Sequence, residues 1–328
     1  MERIARPAAR VWSLADDRAG NRRQADALAR ALAIGTAESK TLAPRAPWRW
    51  LAPRRLPGST QAFGAGFADA LAHPPTLAIG CGRQAALATR LLRAHGARSV
   101  QVLDPRLAPD LWDLVVVPEH DRVRGPNVLT ALGSLNPVDE PWLAEARTAF
   151  PAFALLPRPR IALLLGGSSR HFDFDLTRFD ALADALEHLL VHTGGSLLAT
   201  VSRRTPPAIV AHLPPRFGHV PGVAWTGGDA PNPYAGLLAW ADRIVCTPDS
   251  VNMLSEACAT RAPVQVFAPH AVGGRVRYFL ERLQALDRVR PLGTLWHEGE
   301  AEPLRETARI AAEVRARLRL DAVMDAAR

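Results

Sequence analysis

Short apolar runs alternate with longer stretches of helical periodicity along the chain, and this alternation starts twice. Strands and helices in this order favour a parallel sheet covered by helices on both faces. The run "WDLVVVPEHD" is apolar without alternation, which is typical of a strand buried on both faces. In the first half, strands are predicted at residues 9–15, 75–80, 99–105 and 112–121, and helices at 21–33 and 81–96.

The pattern restarts after the proline-rich stretch 150–160, which has the composition of a linker. The predicted fold class is α/β, with two Rossmann-like doubly wound domains facing a cleft. The expected domains are residues 1–155, residues 156–300, and a C-terminal helix in 301–328 that packs back on the first domain. Ligands bind beyond the carboxyl ends of the strands in such sheets, so the cleft is the expected site. In the second half, strands are predicted at 161–167, 196–202, 222–228, 242–248 and 263–269, and helices at 176–195, 206–213, 232–241, 250–260, 275–289 and 302–320.

Composition supports a folded protein of two domains, because 328 residues exceed the usual size of one domain. The net charge is +8, and Lys40 is the only lysine among the 40 basic residues. Arginine suits a two-pronged grip on phosphate or carboxylate, although arginine-biased codon usage explains the same count. Acidic residues are interspersed and no basic block occurs, so no nucleic-acid partner is predicted.

Cysteine spacing and hydropathy bear on the compartment. Cys81, Cys246 and Cys258 lie in apolar settings without paired spacing, which indicates buried thiols in place of disulfides or a zinc site. We find neither a signal-peptide core nor an apolar run of about 20 residues, so a cytoplasmic protein is expected. The segment 42–58 places tryptophans beside arginines, and it either packs on the first domain or meets an anionic surface such as the inner membrane.

The stretch "CTPDSVNMLSEACATRAPVQVF" predicts a strand end, a turn, a short helix and the next strand. Asp249 or Ser250 has the residue type that caps such a helix. The spacing i, i+3, i+7 of its apolar residues predicts a buried stripe. That stripe consists of Val251, Leu254 and Cys258.

Asn252 and Glu256 are separated by one helical turn on another side of this helix, which is directed to the strand-end cleft. The amides at the helix start form an anion site. A carboxylate more than one turn further along is placed to accept hydrogen bonds from vicinal hydroxyls. A phosphate at the helix tip and a ribose at Glu256 together fit a nucleotide diphosphate, whereas the alternative is a solvent-facing glutamate behind an ordinary cap.

Several motifs in order along the chain resemble those of the mitochondrial-fission ELM family, which includes a plant protein and many bacterial relatives. They are "DDRAGNRRQADALARAL", "VVVPEHD", "LGGSSRHF", "TVSRRTP" and "TGGDAPNPYAGLLAWADRIVCTPDSVNMLSEACATRAPV". The resemblance implies a GT-B-like fold with a nucleotide-sugar donor on the second half and an acceptor on the first. It implies a glycosyltransferase of bacterial envelope glycan or glycolipid synthesis. The alternative that it implies is a non-catalytic adaptor that recruits a partner protein, as the plant member does.

Glycines and arginines at two further strand ends are candidates for phosphate contacts. Gly166, Gly167 and Ser168 follow a strand directly, and glycines let backbone amides approach a phosphate closely. Arg203, of the pair 203–204, suits a pyrophosphate through forked hydrogen bonds. An ordinary turn and solvated arginines explain the same residues. The expected nucleotide-binding set is Gly167, Ser168, Arg203, Asp249, Ser250, Asn252 and Glu256, with Arg170 and His171 just beyond the glycines.

In the first half, "SLADDRAGN" sets Asp16 and Asp17 after the first strand, with Gly20 and Asn21 opening a helix. Several GT-B enzymes, which this chain resembles, carry a glycine loop here, some with a histidine. Asn21 is not a base, so Asp16 or Asp17 is expected to activate an acceptor hydroxyl. The alternative is that one aspartate caps the first helix.

"VVVPEHD" supplies Glu119, His120 and Asp121 at another strand end, and His120 held by Asp121 is a further candidate base. A metal fits this triplet only loosely, because no other His or Cys has ligand spacing. We therefore predict no metal and no cofactor other than the nucleotide-sugar substrate. A nucleotide-sugar epimerase fits poorly, because the chain has neither GxGxxG after the first strand nor a Tyr-x-x-x-Lys pair. The expected acceptor is lipid-linked or a polysaccharide.

Overall fold

The computed structural model describes residues 9–228, 231–296 and 299–321. Its strands, in chain order, are mostly short and buried. They are β1 (Arg10–Ala15), β2 (Thr36–Thr41), β3 (Leu77–Cys81), β4 (Arg98–Val102), β5 (Leu114–Pro118), β6 (Val128–Ala131), β7 (Arg160–Leu165), β8 (Ser196–Val201), β9 (Gly222–Trp225), β10 (Arg243–Cys246), β11 (Val264–Val266) and β12 (Val289–Pro291).

Helices connect most of these strands, as right-handed parallel crossovers require. They are α1 (Ala19–Leu32), α2 (Trp48–Leu51), α3 (Ala65–Ala72), α4 (Arg83–Ala94), α5 (Glu140–Ala149), α6 (Leu176–Thr193), α7 (Pro207–Phe217), α8 (Tyr234–Trp240), α9 (Val251–Cys258), α10 (Gly274–Ala285) and α11 (Glu306–Leu318).

The strands form two parallel sheets of six strands each. Their orders are β2-β1-β3-β4-β5-β6 and β12-β11-β10-β7-β8-β9. In the first sheet, Val11 packs into the core that faces α1 and α11, whereas Trp12 and Leu14 pack into the core on the other face. Both faces are therefore covered, and the predicted pair of doubly wound α/β sheets is confirmed.

The chain divides into two compact units at different positions from those expected from composition. The first unit comprises Met1–Pro137 and Glu306–Arg328, and the second comprises Val138–Arg305. The changeover comes before residue 155 because α5 packs against α8 of the second unit, where Arg147 Nε donates to Ala239 O at 3.0 Å. The proline-rich stretch 150–160 therefore lies inside the second unit.

The C-terminal helix α11 completes the core of the first unit. Ile310 and Val314 are fully buried in the cluster that also contains Leu28 and Leu32 of α1. Arg315 donates a hydrogen bond to the Leu32 carbonyl at the end of α1. Helix α11 thereby covers one face of the sheet that contains β1.

Three strands, β2, β6 and β12, were missed by hydrophobic patterning, and all three are edge strands. β2 has the sequence TAESKT, and its residues are exposed or half-buried. An edge strand pairs on one side only and can be short and polar, so it lacks the apolar run that marks a central strand. The missed helices α2, α3 and α5 likewise lie outside the repeating strand–helix pattern.

The short helix α9 is fixed at its end by a buried arginine. Arg288 is 5% exposed and donates Nε to Cys258 O at 3.1 Å. Its Nη2 donates to the carbonyls of Ala257, Thr260 and Ala262 at 3.3, 2.7 and 3.2 Å. A helix end leaves its last carbonyls without intrahelical partners, and this guanidinium donates to carbonyls at and just after that end. Ala257 O also accepts from Thr260 Oγ1 at 2.8 Å, and Cys258 O also accepts from Leu304 N–H at 2.8 Å, so the Thr260 and Ala262 carbonyls depend most on Arg288.

We predict that Arg288→Met lowers the free energy of unfolding by about 3 kcal/mol, because it removes the donor to the buried carbonyls of Thr260 and Ala262. The matched control is Arg290→Met, which removes a surface arginine paired with Asp287 and should cost less than about 1 kcal/mol. Urea titration followed by tryptophan fluorescence measures both. Equal losses in the two variants would contradict this role of Arg288.

Candidate functional site

The carboxyl edge of the second sheet brings together loops that are distant in sequence. β10, β7 and β8 lie side by side, so the segments that follow them emerge next to one another. Gly167 and Asp249, 82 positions apart, thereby become hydrogen-bonding neighbours. Most of the expected nucleotide-binding residues lie on these three segments.

The Asp249 carboxylate is the buried centre of this edge, with 0% side-chain exposure. It accepts hydrogen bonds from Gly167 N–H at 3.1 Å, the Thr247 hydroxyl at 2.7 Å and Arg204 Nη2 at 2.6 Å. A buried carboxylate is stable only with such compensation. In this structure Asp249 therefore positions the three loops, and its negative charge would repel a phosphate brought against it.

Gly166 and Gly167 are required by this internal packing. A Cβ on Gly166 would lie 2.0 Å from Asp249 Oδ1, and one on Gly167 would lie 1.9 Å from Arg204 O. Their amides are also in use, because Gly166 N–H donates to Thr247 Oγ1 at 2.8 Å. The close approach that the glycines permit is to the protein's own side chains.

Ser168 and Arg203 lie on the surface of the same edge. Ser168 Oγ accepts from Phe174 N–H at 2.9 Å and donates to Asp173 at 3.1 Å, which closes the loop before α6. Arg203 makes no hydrogen bond or ion pair within the described residues, whereas Arg204 binds Asp249. Of the two arginines, Arg203 is therefore the one whose guanidinium is available to a ligand.

The start of α9 has the expected cap. Ser250 Oγ accepts from Met253 N–H at 3.4 Å, so Ser250, and not Asp249, is the capping residue. Leu254 and Cys258 are buried as the stripe predicted. Because Ser250 satisfies one amide of the first turn, others in that turn remain directed out of the helix tip.

Glu256 is buried, with 2% exposure, so the alternative of a solvent-facing glutamate does not hold. It accepts a hydrogen bond from the hydroxyl of Tyr234 in the first turn of α8. Asn252, one turn before it on α9, is half-buried. A carboxylate has about four acceptor positions, so Glu256 can accept from Tyr234 and from a ligand hydroxyl together.

The start of α10 lies against the loop that carries Arg170 and His171. Gly273 N–H donates to His171 O at 3.1 Å, and a Cβ on Gly274 would lie 2.9 Å from the His171 ring. Sequence reasoning missed these two glycines and Tyr234. The double glycine directly before a predicted helix was a usable signal, whereas nothing in the local pattern marked the tyrosine.

In the first unit, Asp16 and Asn21 engage each other after β1. Asn21 Nδ2 donates to Asp16 Oδ1 at 2.8 Å, and a Cβ on Gly82 would lie 2.6 Å from the same nitrogen. Gly20 lies in the first turn of α1, and Asp17 is exposed. The helix begins without a side-chain cap, so capping explains neither aspartate.

Glu119, His120 and Asp121 follow β5. His120 Nε2 lies 3.8 Å from Asp121 Oδ1, and their side chains are 10% and 7% exposed. Glu119 N–H donates to Ala131 O at 2.9 Å, beside the edge strand. β3 and β4 separate β1 from β5, so this group lies about 14 Å, or three strand spacings, from the segment after β1. The sheet therefore keeps the two sets of candidate bases apart.

The cysteines are free and buried, as expected. Burial, with a smaller contribution from Asp16, raises the pKa of the Cys81 thiol well above its usual range. Burial raises the pKa of Cys258 to about 11 despite the positive charge of Arg288. These thiols stay protonated at neutral pH and are not nucleophiles.

Within residues 9–228, 231–296 and 299–321, no group of three His, Cys, Asp or Glu side chains is arranged to hold a metal ion. No helix there combines the length and apolar character needed to cross a membrane.

Comparison with known families gives a match over most of the chain. A model described as "Mitochondrial fission ELM1" matches residues 19–318. The mitochondrial fission protein ELM1 of Arabidopsis thaliana is 30% identical over 274 residues, which cover 74% of this chain and 64% of the plant protein. An uncharacterized protein of Rickettsia prowazekii is 24% identical over 359 residues, which cover 95% of this chain and 99% of that protein. The chain thus spans about two thirds of the plant relative's length and nearly all of the bacterial one's.

Solved structures with a similar fold include two UDP-GlcNAc 2-epimerases. The enzyme of Methanocaldococcus jannaschii has a TM-score of 0.53 at 12% identity, covering 94% of this chain and 99% of its own. The enzyme of Neisseria meningitidis bound to UDP-GlcNAc has a TM-score of 0.51 at 13% identity, covering 93% and 98%. At such identity the likeness concerns the fold, which is the expected GT-B-like one.

We predict that Asp249→Asn opens the strand-end loops. The variant loses the negative charge to which Arg204 and the Gly167 amide donate, so the free energy of local opening should fall by about 3 kcal/mol. Local hydrogen exchange should then be about a hundredfold faster. Deuterium uptake in peptides covering 163–174 and 246–252 measures the effect.

The control for this variant is Asp184→Asn, which removes a carboxylate that is 71% exposed and paired with Arg216. It should leave deuterium uptake in both peptides unchanged. If Asp249→Asn also leaves them unchanged, the carboxylate does not hold the loops together.

Proposed function

Because this chain belongs to the mitochondrial fission ELM1 family, we propose that it binds a nucleotide sugar at the carboxyl edge of its second sheet. The observation that carries the proposal is the buried Glu256 carboxylate on α9, directed by the Tyr234 hydroxyl. Glu256 lies six residues beyond the Ser250 cap, or about 9 Å along the helix axis. A ligand that carries a phosphate and, some distance away, a vicinal diol has groups suited to both positions: the phosphate to the helix tip and the diol to Glu256.

The phosphates would bind at the start of α9 and to Arg203. First-turn amides and the helix dipole favour an anion at this tip. The exposed guanidinium of Arg203 would add a charge-assisted donor from the end of β8, two strands away from β10. Gly167 and Ser168 border this position, and Asn252 lies between the tip and Glu256. The ribose hydroxyls would donate to Glu256.

The reaction proposed for this site is metal-independent glycosyl transfer to a lipid-linked or polysaccharide acceptor of the cell envelope. Positive charge at the helix tip and Arg203 would stabilise the departing diphosphate, which is the largest catalytic contribution in such sites. The acceptor would bind the first unit, beside Gly20 and Asn21 or beside Glu119. Asp17 is favoured over Asp16 as the base because Asn21 donates a hydrogen bond to the Asp16 carboxylate and not to that of Asp17. The other candidate base is His120, held by Asp121.

A non-catalytic adaptor is the second candidate, and one observation favours it. The amides of Gly166 and Gly167 already donate to Thr247 and Asp249, so the loop that resembles a phosphate cradle is internally satisfied. The curated plant relative is described as a mitochondrial fission protein. An adaptor would keep the fold as a scaffold and use its surface to bind a partner protein.

Nucleotide binding separates these candidates. A thermal-shift panel of UDP, GDP, ADP and CMP should identify a stabilising nucleotide, and calorimetry should then compare it with its 2′,3′-dideoxy form. We expect the ribose form to bind about tenfold more tightly, because two hydroxyl hydrogen bonds are lost in the analogue. Glu256→Gln should weaken binding of the ribose form and reduce that preference, and Glu256→Ala should lower the affinity for the ribose form about tenfold, to that of the dideoxy form.

The matched control is Glu281→Gln, an exposed glutamate of α10 that should leave nucleotide affinity unchanged. A lack of response to all four nucleotides would support the adaptor. A nucleotide whose affinity is the same in Glu256→Gln and wild type would place the binding site elsewhere. Release of the nucleoside diphosphate from a sugar donor would then distinguish an enzyme from a binding protein.

Peripheral contact with an anionic membrane is part of the proposal, because one of the two proposed acceptor classes is lipid-linked. Trp48 packs on the core of the first unit, which is one of the two alternatives expected for segment 42–58. Trp50, in contrast, is 62% exposed. Leu56 is 40% exposed and follows two exposed arginines, Arg54 and Arg55. Arg83 fixes this segment by donating to Trp50 O at 2.8 Å. An indole, a leucine and arginines on one anchored segment suit an anionic lipid surface.

We expect Trp50→Ser combined with Leu56→Ser to reduce sedimentation with vesicles of phosphatidylcholine and phosphatidylglycerol about tenfold. Vesicles of phosphatidylcholine alone should bind poorly, because they lack the negative charge. The control is Leu155→Ser, which changes a leucine that is 88% exposed in the second unit. Undiminished sedimentation of the double variant would remove membrane contact from the proposal.

A further inference from the structure

A cavity of about 580 Å³ opens at the amino edge of the second sheet, opposite the edge from which the loops after β7, β8 and β10 emerge. Its lining includes Pro159, Arg243 and Pro263, which precede or begin β7, β10 and β11. α5 and α8 form further walls. The volume lies within the range of pockets that hold small molecules.

The floor of this amino-edge cavity is apolar and its rim is rich in arginine. Leu143 and Leu238 are buried beneath it. The cavity is lined by four arginines, Arg147, Arg158, Arg243 and Arg261, and by three acidic residues, Glu140, Asp242 and Glu300. The lining therefore carries an excess of one positive charge.

The acidic residues of the cavity are already matched by arginines. Asp242 binds both Arg158 and Arg160. Burial opposes the charged form, but hydrogen bonds from Arg160 and Arg158 hold the pKa of Asp242 below its usual value of 3.8. Asp242 is therefore ionised and engaged at neutral pH.

Glu140 and Glu300 are matched in the same way. Glu140 Oε1 accepts from Arg261 at 3.3 Å and from Arg305 at 3.0 Å. Glu300 lies 3.9 Å from Arg261 Nη1. No acidic residue of the lining is left to neutralise a further arginine.

Arg147 and Arg243 are the lining arginines with no carboxylate partner in the described part of the chain. Arg147 donates only Nε, to Ala239 O, so its terminal nitrogens stay available. The Arg243 guanidinium lies 5.1 Å from the ring centroid of Trp296, a contact that orients it without neutralising it. Each presents a planar fork of donors that suits phosphate or carboxylate.

We propose that the amino-edge cavity binds a small organic anion, whose phosphate or carboxylate group is held by Arg147 and Arg243. The apolar floor covers the organic part of the ligand. The cavity lies at the opposite ends of the strands from the α9 tip and Arg203, where the phosphates of the nucleotide are proposed to bind. An acidic protein segment is disfavoured as the occupant, because the cavity has the volume of a small-molecule pocket.

Calorimetry with citrate and with glycerol 3-phosphate as probes tests the proposal and distinguishes carboxylate from phosphate. We expect at least one probe to bind more tightly than about 10 mM. Arg147→Gln and Arg243→Gln should each weaken that binding about tenfold, through loss of charge-assisted hydrogen bonds. The matched control Arg290→Gln, which removes a surface arginine of the same unit, should have no effect.

Two results would overturn the proposal. One is binding of neither probe, and the other is binding that Arg147→Gln and Arg243→Gln leave unchanged. A polyglutamate peptide that binds through Arg243 when neither probe binds would overturn it in favour of a protein partner. Probe binding that persists in Glu256→Gln supports it and is independent of the fate of the nucleotide proposal.

Discussion

The buried carboxylate of Asp249 is the interaction on which the candidate site depends. It joins the ends of three neighbouring strands, because it accepts from the loop after β7, from Arg204 after β8 and from Thr247 of its own segment. The glycines at 166 and 167 follow from it, since any side chain there would overlap Asp249 or the Arg204 carbonyl. The burial of one charge thus dictates the residue types of loops more than 40 positions away.

The buried Asp249 carboxylate also fixes the start of α9, the helix that gives the site a capped tip and an acidic flank. The helix begins directly after Asp249 and ends on the buried Arg288, so its tip, with the Ser250 cap, and its flank, with Glu256, have defined positions. Tyr234 sets the direction of the Glu256 carboxylate from a different helix. A helix in a fixed position with an open tip suits a protein that binds a ligand. Loops whose polar groups are satisfied by the protein's own side chains also suit a scaffold. The nucleotide-binding proposal and the adaptor proposal differ on this point.

The second sheet presents charge differently at its two edges. At the carboxyl edge a single buried aspartate organises the loops, and Arg203 is left exposed. At the amino edge, each acidic residue of the cavity lining is paired with at least one arginine, and Arg147 and Arg243 have no carboxylate partner among the described residues. Many of the arginines therefore have a structural role in ion pairs and in hydrogen bonds to carbonyl groups. Arg203, Arg147 and Arg243 are the ones that the two proposals assign to ligands.

The sequence by itself determined the central strands, most of the long helices and the fold class, because these follow from local hydrophobic periodicity. It left the cap of α9 open between Asp249 and Ser250, which have similar capping side chains. It did not determine the edge strands β2, β6 and β12, which carry weak apolar patterns because they pair on one side only. Tertiary structure alone decided that α5 belongs to the second unit, that Tyr234 meets Glu256, and that the candidate bases after β1 and β5 stand about three strand spacings apart. It also decided that Asp249 and the two glycines face each other. These outcomes depend on strand order and on contacts between distant segments, which the spacing of residues along one segment does not encode.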